Sequence, residues 1–435
     1  MSEIEMFSGQ NHGEVPMDWD ACALGEQLEL IRNGLTKTQN KQGDGLPVTR
    51  IETISEDRIN LNKVGFVEDA TPEEMERYRL RPGDILFSHI NSEPQLGRSV
   101  VFKDSVLLLH GMNLLVLRTK DTLDSQYLDY LFMEYRRRGV FIGISARAVN
   151  QSSINQGNMK RLSIPLPSLT EQRAIADVLM TIQRAKEATE EVIAATEELK
   201  ISVMKYVFTH GAVPIGEAER VSLKETEVGP IPVDWEIRRL GEIVESTKYG
   251  ISQRGGKSGK YPILRMNNLV NGYVDVSDIQ FVDIDSDVFN RFRVKKGDVL
   301  FNRTNSFERV GKTSIFTLEG DYVFASYLIR LVADADVMVP RFLSYYLNKQ
   351  DSQRRLKMLA TRGVSQSNIS ASKLKTFAVP VPSIEEQERV TNTLVALDEK
   401  IEKETRRRSA LEELFKTMLH LIMTGQIRVN DMEVQ

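Results

Sequence analysis

Cysteine is nearly absent. Cys22 stands alone, so no internal disulfide can form, and the five histidines are scattered without the cysteine partners that a zinc site needs. Long apolar runs are absent as well. The longest, at residues 105–109 and 139–144, fall far short of the ~20 residues that cross a bilayer. Residues 1–10 carry Glu3 and Glu5 and no basic residue ahead of a hydrophobic stretch. No membrane span and no secretory signal are expected, and a reducing cytoplasm is the simplest home.

Catalytic signatures are missing in the same way. No Gly-x-Ser-x-Gly elbow occurs, and no Gly-x-Gly-x-x-Gly opens a helix after a strand. The lack of any Pro-Pro pair excludes the Asn/Asp-Pro-Pro-aromatic motif of amino-methyltransferases. Val310-Gly311-Lys312-Thr313 resembles the end of a phosphate-binding loop, but the glycine required five positions before Gly311 is Ser306. The matching stretch Leu96-Gly97-Arg98-Ser99 lacks the lysine too. Asp398-Glu399-Lys400 resembles a nuclease fragment and reads better as a solvated helix face. The expectation is a chain that catalyses nothing and binds no cofactor or metal itself.

What is present is duplication, the feature to seek first in a chain of 435 residues, which is too long for one ordinary core. Residues 13–26 (GEVPMDWDACALGE) match 229–242 (GPIPVDWEIRRLGE), which brings the only two tryptophans, Trp19 and Trp235, into register. PVTRI at 47–51 matches PILRM at 262–266, GDILF at 83–87 matches GDVLF at 297–301, and QSSI at 151–154 matches QSNI at 366–369. IPLPSLTEQ at 164–172 matches VPVPSIEEQ at 379–387.

Each copy runs from a mixed segment into a helical one. Short β-type runs at 84–87, 113–118 and 298–301 are punctuated by Gly and Pro and broken by helical stretches at 125–135 and 340–349. Ser168 with Glu171, and Ser383 with Glu386, form Ser-x-x-Glu caps ahead of two glycine-free and proline-free helices. In the first, Ile175, Val178, Ile182, Val192, Leu199 and Val203 follow a heptad seam. In the second, Val390, Leu394, Leu397, Ile401, Leu411 and Met418 do. At 1.5 Å per residue each helix would be roughly 60 Å long, and antiparallel pairing as a rod would cover both seams.

The net charge of −4 argues against a nucleic-acid partner only until it is divided. Residues 1–167 hold 19 Lys and Arg against 23 Asp and Glu, whereas residues 212–382 hold 25 against 20. Three clusters can meet DNA. The Gly-rich loop 249–261 carries Arg254, Lys257 and Lys260 and can approach a phosphate backbone or simply be solvated. NRTNS at 302–306, matched by SHINS at 88–92, offers Arg303, Asn305, His89 and Asn91 for base edges or for turn capping. Arg147 and Gln151, with their counterparts Arg362 and Gln366, suit phosphate or turn contacts. Arg98 and Lys312 complete the basic candidates.

The ordered duplication resembles the specificity subunits of type I restriction-modification systems. Its carriers are the paired Pro-x-Pro-Ser-x-x-Glu-Gln boxes at 165–172 and 380–387, the long helix after each, the helix endings Phe208-Thr209-His210-Gly211 and Met423-Thr424-Gly425, and the two Gly-x-x-Pro-x-Asp-Trp openings. The short strands and helices of the mixed segments already read as α+β, and the resemblance agrees. Target recognition domains at 1–167 and 212–382 would be joined by spacer helices at 168–211 and 383–425, with a tail at 426–435. The two helices would pair antiparallel as a coiled-coil spacer within a pseudo-twofold repeat. It implies a double-stranded DNA site in two halves, two modification subunits that bind S-adenosylmethionine and methylate adenine, and two restriction subunits as optional members. Because SHINSEPQ at 88–95 differs from NRTNSFER at the matching 302–309, the half-sites should differ. The rival reading is a coiled-coil protein-interaction scaffold without DNA binding, suggested by the acidic first lobe and separable by the salt dependence of DNA affinity.

Overall fold

The computed structural model describes residues 16–55, 57–147, 151–363 and 366–429. Contacts divide the chain into two compact units, Met1–Thr189 with Arg407–Gln435, and Glu190–Arg406. The division falls inside both long helices rather than at the helix starts, because each unit's core takes in part of each helix. In the first unit Ile175, Leu179, Leu419 and Ile422 share one core, and in the second Val207, Phe208, Val390 and Leu394 do.

The first unit is built on an antiparallel sheet in the order Leu28–Asn33, Leu115–Thr119, Ile85–Phe87, Ser99–Val101. Successive strand residues point to opposite faces, and here both faces are covered, so the GDILF motif is buried without alternation. Ile85 and Phe87 pack with Leu117, Tyr127 and Phe132 on one side, while Leu86 packs with Val100, Phe102 and Val116 on the other. The helix Ser125–Arg137 supplies Tyr127 and Phe132, and it starts where the Asp124 carboxylate accepts from the backbone N–H groups of Gln126 and Tyr127. The strand Asp20–Ala23 pairs antiparallel with Ser163–Leu166 and so closes the lobe beside the long helix.

The second unit repeats this plan. Its sheet runs Val244–Tyr249, Leu328–Ala333, Val299–Asn302, Thr313–Ile315, and then adds Tyr273–Val274 and Leu269–Val270. Val299 and Phe301 face Phe342, Leu343 and Tyr346, while Leu300 faces Leu264, Phe316 and Phe324. The helix Pro340–Asn348 starts with proline, whose missing N–H costs nothing there. Glu236–Arg239 pairs with Ala378–Val381, as the corresponding strands do in the first unit.

The long helices run Leu169–His210 and Ile384–Met423. Ser168 and Ser383 accept from the N–H groups of Glu171 and Glu386 at 3.3 Å, as the caps predict. The carboxylates do something else. Glu171 accepts from Trp19 Nε1 at 3.2 Å and Arg428 Nε at 2.7 Å, and Glu386 accepts from the Ala212 N–H at 2.7 Å. Each glutamate anchors a neighbouring segment instead of closing a capping box.

The heptad seam needs a correction. Ile175, Val390 and Leu394 are buried, and Val178, Ile182, Val203, Leu397, Ile401, Leu411 and Met418 are partly covered. Val192 and Leu199 are 39% and 51% exposed. Past buried Thr189 the covered stripe passes through Ile193, Thr196, Lys200, Val203 and Val207. A straight α-helix needs slightly more than seven residues to return to one face, so a seam counted in sevens drifts off it by about 20° per heptad.

Candidate nucleic-acid interface

Motifs about sixty residues apart in sequence meet in a small three-stranded sheet, once in each unit. In the first, Ile90–Asn91 pairs with Ser152–Ser153, which pairs with Ala146–Arg147. In the second, Thr304–Asn305 pairs with Ser367–Asn368, which pairs with Thr361–Arg362. The backbone frame is shared, since Ile154 N–H donates to His89 O at 2.8 Å and Ile369 N–H donates to Arg303 O at 2.9 Å. Two of the three clusters read from the sequence are therefore one site per unit, with different side chains on the same scaffold.

The first-unit side chains are mostly spent on one another. His89 is 5% exposed, and burial holds its imidazole at about 4, so the ring is neutral. Its Nε2 lies 3.2 Å from Asn33 Nδ2, and Asn33 Oδ1 accepts from Gln156 Nε2 at 2.6 Å. Asn91 donates to Ser88 Oγ and accepts from the Ser92 N–H, which is turn capping. Arg98 lies 3.4 Å from Asp57, which also receives Arg136. Gln151 is exposed, whereas the Arg147 side chain lies outside the described residues. Lys37, in the loop after Asn33, is tied to Glu74 at 2.9 Å and Asp69 at 3.5 Å.

The second unit is richer in cations. Arg303 stacks 4.5 Å over the Tyr249 ring and donates to Ser326 O and Asn368 Oδ1, so its guanidinium is held against the body of the lobe. Asn305 accepts from the Ser306 N–H, again as a turn cap. Arg362 is exposed and sits 4.1 Å over Phe307, which Lys357 also approaches at 5.9 Å. Gln366 is exposed nearby in sequence. In the loop after Tyr249, Arg254 and Lys257 are exposed with no ion pair or side-chain hydrogen bond among the described residues, and Lys312 is the same. Lys260 is exposed with its ammonium 5.0 Å from the Tyr261 ring. Gly311, at φ +93°, makes the VGKT stretch a turn whose carbonyl accepts from Gln353 Nε2 at 2.8 Å.

Sequence reading missed Asn33, Gln156, Tyr249, Phe307 and Lys357. A signal did exist for two of them, because Asn33 and Tyr249 precede matching glycines, Gly34 and Gly250, in the register the tryptophans set. Among the described residues no cluster of His, Cys, Asp or Glu could hold a metal, and no helix is long and apolar enough to cross a membrane.

Two lobes that carry different polar side chains on one repeated frame define a duplicated recognition protein. The chain belongs to the type I restriction-modification DNA specificity family, whose domain model matches residues 16–198 and 232–413. It is 34% identical over 438 residues to a protein of Methanocaldococcus jannaschii described as the type I restriction enzyme MjaX specificity subunit, covering 98% of this chain and 97% of that one. It is 24% identical to the type I restriction enzyme EcoKI specificity subunit of Escherichia coli K12, covering 95% and 90%. The fold is similar to the crystal structure of the S subunit of a type I restriction-modification system from M. genitalium, with a TM-score of 0.58 at 16% identity over 94% of this chain and 96% of that one.

Proposed function

We infer that this chain is the non-catalytic DNA-recognition subunit of a type I restriction-modification complex, reading a two-part, asymmetric site in double-stranded DNA. The observation that carries this is the repeated small sheet, which keeps Asn91 and Arg147 of one unit at the positions of Asn305 and Arg362 in the other while the residue ahead of its first strand changes from His89 to Arg303. Arg254, Lys257, Lys312 and Arg362 would take phosphates and set position, and exposed side chains around the sheet would read bases. Gln151 and Gln366, at equivalent ends of the loop motif, suit phosphate or turn contacts.

The long helices would pair antiparallel as a coiled-coil spacer that sets the separation of the half-sites. The ion pair Lys186–Glu412 at 2.8 Å in the first unit and the Lys200–Asp398 pair in the second support antiparallel pairing within each unit. Two modification subunits carrying S-adenosylmethionine would methylate adenine, restriction subunits could join, and the assembly would work in the cytoplasm. Methylation mapping of DNA from cells with and without this chain and its modification subunit tests the reading. A bipartite methylated motif that appears only with the chain is expected, and its absence would refute the reading.

A further inference from the structure

The residue that leaves the first sheet strand is presented in the same way in both units. Asn33 is followed by Gly34, where an added Cβ would lie 2.4 Å from the His110 and Gly111 carbonyl oxygens. Tyr249 is followed by Gly250, where a Cβ would lie 2.2 Å from the Phe324 oxygen and 2.4 Å from the Ala325 oxygen. The next residues repeat the geometry, since Leu35 N–H donates to His110 O at 2.9 Å and Ile251 N–H donates to Phe324 O at 2.8 Å. The backbone under positions 33 and 249 is therefore fixed, and only glycine fits behind it.

The side chains at these positions are exposed, and each is steered by the residue that opens the small sheet. Asn33 Nδ2 meets His89 Nε2, and its Oδ1 accepts from Gln156. A carboxamide has two N–H donors and two oxygen lone pairs. One donor and one lone pair are used by those partners, which fixes the plane of the amide and leaves one of each. A donor and an acceptor side by side on one edge of an amide are what the major-groove edge of adenine, an N7 acceptor beside an N6 donor, requires. In the second unit Tyr249 stands over Arg303, its hydroxyl accepts from the Ala371 N–H at 2.7 Å, and its exposed side chain keeps a hydroxyl hydrogen to donate.

We propose that Asn33 reads an adenine in the half-site of the first unit and that Tyr249 is the reader at the equivalent position of the second, with His89 and Arg303 as positioning residues beneath them. The proposal rests on the DNA-recognition reading above. It transfers base contact from the residue below to the exposed residue above, and it explains how one frame gives two half-sites.

The experiment is methylation mapping with the full chain and its modification subunit, comparing the native chain with Asn33→Ala, Asn33→Asp and Tyr249→Ala. Asn33→Ala should relax one A·T position of one half-site, with discrimination falling roughly 10- to 100-fold, and leave the other half-site as it was. Asn33→Asp keeps the shape but offers only acceptors, so preference at that position should move from adenine toward cytosine, whose N4 group donates. Tyr249→Ala should alter only the other half-site. If the native chain yields no bipartite motif, the functional reading fails and this assignment with it. If the native motif is present but Asn33→Asp leaves it unchanged, changes both halves or abolishes methylation outright, the assignment of Asn33 is overturned while the functional reading stands.

Discussion

Gln172 and Gln387 make the same three hydrogen bonds in their respective units. Gln172 Oε1 accepts from the Asp124 N–H at 2.8 Å, and its Nε2 donates to Thr122 O at 3.2 Å and Pro167 O at 2.9 Å. Gln387 Oε1 accepts from the Val339 N–H at 2.7 Å, and its Nε2 donates to Val337 O at 2.8 Å and Pro382 O at 2.9 Å. Both side chains are fully buried, so each clasps the loop that leads into a lobe helix onto the start of a long helix. The glutamine of the Pro-x-Pro-Ser-x-x-Glu-Gln box is thus a structural clasp.

Replacing either glutamine by alanine would strand three backbone groups. Gln172→Ala should cost about 2–3 kcal/mol of stability, with a thermal midpoint lower by about 2–4 °C per kcal/mol. Gln172→Glu, which keeps the shape but sets a carboxylate against two carbonyls, should cost at least as much. Thermal unfolding of the purified chain measures both, and a Gln172→Glu midpoint equal to the native one would contradict the clasp.

Acid should weaken the first unit specifically. Burial holds His89 and His110 at about 4, while an unfolded chain protonates histidine near 6.5. Between those values the unfolded state carries more protons, so stability falls as pH falls. Asp129 opposes this, because burial lifts its carboxyl to about 6 and the folded state then takes up that proton before the unfolded state does. The balance is about one extra proton on the unfolded chain between pH 6 and 4.5, a loss of roughly 1.4 kcal/mol per pH unit. Asp129→Asn removes the opposing uptake and should roughly double the slope of stability against pH.

Neutralising the unpartnered cations of the second unit should weaken DNA binding evenly across sequences. Each of Arg254→Gln, Lys257→Gln and Lys312→Gln that removes a phosphate contact should reduce the steepness of log affinity against log salt by about one. Binding isotherms at several salt concentrations give that slope. An unchanged slope in all three variants would place the duplex elsewhere.

Deleting seven residues from each long helix, in register, shortens a paired spacer by roughly 10 Å, about three base pairs. The methylated motif should keep both half-sites and lose about three positions between them. Retention of the native spacing would mean that the helices do not act as a ruler.

Much of the architecture was legible in the sequence because duplication makes each weak signal appear twice. The runs at 84–87 and 298–301 are strands Ile85–Phe87 and Val299–Asn302, and the expected long helices differ from Leu169–His210 and Ile384–Met423 by a residue or two. Val192 and Leu199 were misplaced because a count in sevens ignores the drift of a straight helix. The site was less legible. His89 and Arg303 carry the chemistry of base readers, but the strand places them under Asn33 and Tyr249, and neither composition nor spacing tells which of two stacked layers faces outward. Nor could the pairing of Asn91 with Ser152, or of Asn305 with Ser367, be read from motifs about sixty residues apart.

The ion pairing of Lys37 has a kinetic side. With its ammonium held by Glu74 and Asp69, Lys37 adds little long-range pull and leaves Lys41 as the exposed cation of the first unit's loop, whereas Arg254 and Lys257 both stand uncompensated in the equivalent loop of the second. On the DNA-binding reading, an approaching duplex would feel the stronger long-range attraction at the second unit's loop.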